Sequence, residues 1–233
     1  MPNRWAVTNG NWSSAATWSG SLIPTASDDV FANNFTVNVD TSFQVLSLSN
    51  AASASAVVAG GSFNFNSGSI SGSMTSATGI VPGATNLITV TAGSGTVTID
   101  FSNPIQMPTI SSIIGISHTG ACNFSITAPS FLAMDTGLNI LSNILINKTS
   151  TGQITINGNI VGGKTGNSGT AGVNALVSSA GNTVVNGDVF GNNGVIQNVG
   201  PHYAINQTSG ILTINGNVTG GENNTDLYRA IIF

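Results

Sequence analysis

The sequence predicts an all-β chain wound as a right-handed parallel β-helix, a β-solenoid, with a Trp-rich cap at its N-terminal end. Three observations lead there. The C-terminal third repeats at a fixed period, each repeat is built from short alternating strands closed by turn residues, and no segment has convincing helical periodicity. Asn157-Gly158, Asn186-Gly187 and Asn215-Gly216 follow one another at intervals of 29 residues. Gly152, Gly181 and Gly210 keep the same phase, and so do Gly162, Gly191 and Gly220. Ile156, Val185 and Ile214 form an aliphatic column, and Ile160, Val189 and Val218 form another. Ala175-Leu176 aligns with Ala204-Ile205, and Ala230-Ile231 follows after a shorter loop.

Each repeat, within residues 151–233, opens on a β-branched alternating run such as Gln153-Ile154-Thr155-Ile156 or Ile211-Leu212-Thr213-Ile214. Asn-Gly closes it, because these residues tolerate a left-handed backbone. A short apolar pair follows (Ile160-Val161, Val189-Phe190), and a Gly/Asn-rich stretch leads to a third apolar run at Ala175 to Val177. Three short strands per repeat suit one coil of a triangular β-helix. Asn-Gly is also a strong hairpin signal, but the apolar pair after it is too short to pair well, so the solenoid reading is preferred. Stacked coils would line up Asn157, Asn186 and Asn215 as an amide ladder.

Residues 43–150 have the same texture with a looser period. Gly61 to Phe65, Gly95 to Ile99 and Gly120 to Ile126 each read as glycine followed by an alternating strand. They are expected to be irregular coils of the same rod, a separate β-sandwich being the alternative. The run Pro104 to Ile116 is a candidate insertion. Residues 1–42 hold all three tryptophans, Trp5, Trp12 and Trp18. A solenoid end bares an apolar core and an unpaired strand edge, so this segment is expected to act as a cap or as an attachment segment.

Composition narrows the function. Only 5% of the 233 residues are charged, yet 40% are hydrophobic; ordinary soluble proteins are roughly 25% charged. The chain can bury a core, which argues against disorder, and its surface is polar without being ionic. The net charge is −4, and the four basic residues, Arg4, Lys148, Lys164 and Arg229, are too scattered to bind nucleic acid. The single cysteine, Cys122, reads as a buried structural thiol. No apolar run approaches the roughly 20 residues of a membrane span, and the sequence from Met1 to Trp5 is unlike a secretory signal.

Asn3-Arg4-Trp5, Gly10-Asn11-Trp12, Ala16-Thr17-Trp18 and the stretch from Pro24 to Phe31, with Asp28-Asp29-Val30 inside it, resemble the opening of many bacteriophage virion structural and tail-fibre-like proteins. Secreted bacterial adhesins share a similar Trp-rich opening. The resemblance implies a virion protein made in the host cytoplasm and extracellular after release. It also implies other virion proteins as partners, a host-surface glycan as a candidate partner, and a homo-oligomer with a trimer favoured. An apolar run ending at Phe233 suggests that the chain continues or that another subunit covers its end.

Catalytic, cofactor and metal residues are all expected to be none. Glycoside hydrolysis generally needs two carboxyl groups facing one bond, and the acids are isolated. Asp28 and Asp29 share a turn in which one is expected to bond local amides, with a Ca²⁺ site there as the alternative. Asp40 and Asp100 read as turn formers, Asp135, Glu222 and Asp226 fall in loops, and Asp188 occupies the column of Asn159 and Asn217. His118 lies in a turn-like stretch and His202 fills a column, neither near a metal-binding cluster. The expected function is therefore a rigid, non-enzymatic rod in host attachment. A glycan-binding or depolymerising tailspike and a secreted adhesin are the alternatives.

Overall fold

In the computed structural model the described residues are 3–49, 60–66, 87–102, 104–106, 114–132, 143–162, 173–191, 204–220 and 231–232. They form a parallel β-solenoid. Nine strands stack in one long sheet: Gly10–Asn11, Thr36–Val39, Ser62–Phe65, Ile88–Val90, Ile114–His118, Asn143–Lys148, Val173–Ser178, Ile205–Gln207 and Ile231–Ile232. Their register places Val37, Phe63, Ile88, Ile116, Ile146, Leu176 and Ile205 one above another. All seven are buried. The inward position is apolar because alternate side chains of a strand point to opposite faces, and only one face meets the core.

A second sheet faces the core from Thr96 onward, through Thr96–Asp100, Asn123–Leu132, Ile154–Val161, Thr183–Asn186 and Leu212–Ile214. Ile99, Ile126, Ile156, Val185 and Ile214 line up across it. The Asn-Gly step is the bend between the first and second predicted strands of each repeat. Ile154–Val161 runs through it as one strand, yet pairs with two separate strands of the next coil, Thr183–Asn186 and Val189–Phe190. Below it, the register with Asn123–Leu132 shifts between Thr127 and Ser130. Among the described residues every strand pairing is parallel, and the one antiparallel contact is the isolated bridge between Ala6 and Trp18. The hairpin reading of Asn-Gly is thereby excluded.

The long sheet runs unbroken from Gly10 to Ile232, so the described strands between residues 43 and 150 stack on the same sheet as those of the C-terminal repeats. Ile105–Gln106, inside the stretch considered as an insertion, pairs with Asn123–Leu132 as part of the second sheet. The Trp-rich segment also contributes coil. Gly10–Asn11 and Thr36–Val39 are the first strands of the long sheet, and Asp29–Phe31 pairs with Asn3–Trp5 on one side and Ser47–Ser49 on the other in a three-stranded sheet of their own.

One repeat column finds its reason at a corner. Gly152, Gly181 and Gly210 lie where the chain turns from the long sheet into the second. A Cβ on Gly152 would run into the Cys122 carbonyl of the preceding coil, and one on Gly210, at φ +84°, into the Gly181 carbonyl. Close coil-to-coil stacking excludes a side chain there. One hydrophobic cluster, from Ala6 to Ile205, fills the interior. Burying each aliphatic or aromatic side chain is worth about 1.5–3 kcal/mol, gained against the coils directly above and below.

Candidate functional site

Two of the three tryptophans of the N-terminal segment are buried in the first coils. Trp12 follows Asn11, which pairs with Asn38, so its ring enters the core ahead of Val39. It stacks on Phe43 at a centroid separation of 3.4 Å and meets Trp18 edge-on at 4.8 Å. The Trp18 indole N–H donates to the Trp12 carbonyl at 2.9 Å. Both rings are 1% exposed, whereas Trp5 is half-buried. A shallow cleft of about 550 Å³ opens beside this cluster, lined in part by Trp12, Thr25, Thr41, Phe43 and Gln44.

The acidic turn that follows is structural. Asp28 is buried, and its Oδ2 accepts the Thr25 backbone N–H at 2.7 Å and the Thr25 hydroxyl at 2.9 Å. Its other oxygen lies 3.8 Å from the Arg4 guanidinium. This is the local amide bonding expected of one of the two acids. Asp29 accepts the Ser47 hydroxyl, one coil on. The remaining acids among the described residues stand apart. Asp40 accepts the Ser13 backbone N–H at 3.0 Å, and Asp100 ends a strand. Asp135, Glu222, Asp226 and His202 lie outside the described residues. Among the described residues, no three His, Cys, Asp or Glu side chains are grouped to hold a metal ion.

The repeat turns form ladders. Asn186 Nδ2 donates to Asn157 Oδ1 at 2.8 Å, and Asn215 Nδ2 to Asn186 Oδ1 at 2.8 Å. Asn186 thus donates to the coil before it and accepts from the coil after it, a pairing that only a side chain with both capacities can propagate. The glycines that follow, Gly158, Gly187 and Gly216, are crowded by the carbonyl of the preceding coil at the same turn. A parallel ladder runs through the column of Asp188. Asn159 Oδ1 accepts the Asp188 backbone N–H at 2.9 Å, and Asp188 Oδ1 accepts that of Asn217 at 2.8 Å. Asp188 thus does the work of an asparagine oxygen.

The interior holds a feature that sequence reasoning missed. One inward column of the long sheet reads Val39, Phe65, Val90, His118, Lys148, Ser178, Gln207. Three apolar residues give way to four polar ones, and all four are buried. His118 is on a strand and fully enclosed, not in a turn. Its Nε2 lies 3.1 Å from the Cys122 carbonyl, which can only accept, so Nε2 carries the proton; the Ser150 hydroxyl lies 3.1 Å from Nε2 and 3.3 Å from Nδ1. Lys148 Nζ donates to the Ser150 carbonyl at 2.8 Å and to the Ala180 carbonyl. The Thr183 hydroxyl bonds Ser178 at 3.2 Å, while the Gln207 amide has no partner among the described residues.

Burial sets the charge states. It pulls the His118 imidazole down to about 4, opposed by the Cys122 carbonyl and reinforced by the Lys148 charge. Burial alone brings Lys148 down to about 8 and pushes the Cys122 thiol up. Near neutral pH the column therefore holds a neutral His118 above a charged Lys148. His118, Lys148 and Ser150 are all buried. Cys122 is free and buried, as its alternating surroundings predict.

No protein-family model matches the chain, and neither the curated proteins nor the solved structures contain a significant match to it.

Proposed function

We propose that the chain is a structural component of a bacteriophage virion, a tail fibre or similar surface appendage that serves as a rigid rod in host attachment. The observation that carries the mechanical part is the long sheet, nine parallel strands over one core from Gly10 to Ile232. Stacked coils resist bending because shear between them must break backbone pairing and the side-chain ladders together. The virion assignment draws on the resemblance of the Trp-rich segment, and so does the proposed homotrimer. The non-enzymatic reading is supported by the acids themselves: Asp28, Asp29, Asp40 and Asp188 each accept hydrogen bonds that hold turns or neighbouring coils.

Immunogold labelling of particles purified from a lysate, with an antibody to this chain, tests the reading. Label on a particle appendage is expected. Label confined to the bacterial envelope would overturn it in favour of an adhesin. The glycan-binding alternative has one observation on its side, the aromatic-floored cleft with the Thr25 and Thr41 hydroxyls at its rim. Retention of the chain on immobilised host polysaccharide, lost in Gln44→Trp, would support it.

A further inference from the structure

We propose that the interior stretch His118–Ser150–Lys148 is an acid-sensitive joint: a proton taken up by His118 puts a second positive charge into adjacent coils of the core and opens the rod there first. The geometry carries the argument. His118 and Lys148 are register partners on neighbouring strands, so their chain positions are about 4.8 Å apart. Both are fully enclosed. Buried charge is tolerated only when paired, and here the pairing is incomplete. Facing His118 are Val90 on one side, Lys148 on the other, Gly120, Cys122 and Ser150 in the adjoining corner turns, with the backbone of Gly120 and Cys122 favouring a proton on the ring, and Phe124 in a T-shaped contact at 5.5 Å. Facing Lys148 are His118, the carbonyls of Ser150 and Ala180, and Ser178 in the next coil. None of these is a carboxylate. The one ion pair among the described residues, Arg4 with Asp28, belongs to the first coils.

Protonation also changes the hydrogen bonding at the ring. With Nε2–H given to the Cys122 carbonyl, the proton must enter at Nδ1, and the Ser150 hydroxyl, 3.3 Å from Nδ1 and 3.1 Å from Nε2, then faces two donors. The acceptor becomes a donor and Ser150 must turn round. Among the described residues, no carboxylate stands there to compensate. The sign follows from linkage. A folded-state value below the unfolded one means that stability is complete above about 6.5 and drains away as the pH falls toward 4. Lys148 behaves alike in a higher window, with stability lost as the pH falls from 10.5 toward 8. At pH 7 the Lys148 penalty is already present and the His118 penalty is held in reserve.

Hydrogen exchange read by mass spectrometry tests this on the full chain, with opening constants corrected for the intrinsic pH dependence of exchange. Strands Ile114–His118 and Asn143–Lys148 are followed, with Thr36–Val39 as the internal reference. Between pH 7 and 4.5 the opening constant of the first two should rise roughly fifty-fold while the reference changes little. His118→Leu should abolish the rise, and Lys148→Met should lower opening at pH 7. An equal rise in the reference strand, or a full rise in His118→Leu, overturns the proposal. Should His118→Leu fail to fold, the imidazole titration of the wild-type protein by NMR decides: a midpoint near 4 supports the joint, and one near 6.5 refutes it.

Discussion

Val185→Asp is the sharpest probe of the stacked core. Val185 is fully enclosed, with Ile156 one coil before and Ile214 one coil after. Losing its side chain forfeits about 1.5–3 kcal/mol of burial. The carboxyl that replaces it meets two aliphatic neighbours, neither with a donor to offer. Its charged form is excluded, and the neutral form without a hydrogen bond costs about 2–7 kcal/mol more. The total of roughly 4 kcal/mol or above is a large part of the roughly 5–15 kcal/mol that holds a domain folded. The sign of the pH effect is opposite to that of His118. The new carboxyl has a folded-state value raised above about 3.9, so its destabilisation is smallest below that pH and grows as the pH rises. Guanidinium unfolding followed by circular dichroism, with wild type and variant compared at pH 4 and pH 7, reads both effects. A Val185→Asp midpoint equal to that of wild type at pH 7 would mean that the column is not packed as described.

Three further outcomes are expected. Asp188→Asn should shift stability by no more than about 0.5 kcal/mol, because Oδ1 of an asparagine accepts the Asn217 amide equally well; loss of a glycan-degrading activity in a folded Asp188→Asn variant would refute the structural role given to this residue. Asn186→Asp should lower the unfolding midpoint by the equivalent of about 1 kcal/mol, since it removes the donor to Asn157 and sets two oxygens against each other; an unchanged midpoint would show that the ladder contributes nothing. Tryptophan emission should be blue-shifted with most of the signal shielded from acrylamide, Trp12 and Trp18 being buried and Trp5 half-buried; uniformly red-shifted, freely quenched emission would contradict that burial.

The regular coils were legible because one set of contacts is repeated at each level. Val185 must match Ile156 and Ile214, so the period shows in the residues themselves. The middle was legible as strands but not in phase. Gly61 leads into the long sheet, whereas Gly95 and Gly120 lead into the second, so their spacings compare different faces of the rod. Once sorted by sheet, Val97 and Phe124 are ordinary partners one coil apart. The polar column escaped notice for a physical reason. His118 stands between Ser117 and Thr119, and Lys148 between Asn147 and Thr149; such triplets read as exposed turns because inward positions are ordinarily apolar. Only the register Val90–His118–Lys148–Ser178 reveals that they share one interior line. The Asp28 turn was readable because its partner, Thr25, is local in sequence.

The equivalence of Asn157, Asn186 and Asn215 makes the length of the rod a counted quantity. Each amide offers its neighbours the same donor and acceptor, so a coil cannot distinguish the copy it rests on from the copy two levels away. Excising the 29 residues from one such asparagine to the next leaves every remaining turn with a partner of the same kind. The molecule would shorten by one strand spacing, about 4.8 Å, and duplication would lengthen it by the same step. At these turns the contact repeats unchanged from coil to coil, so reach is set in whole coils.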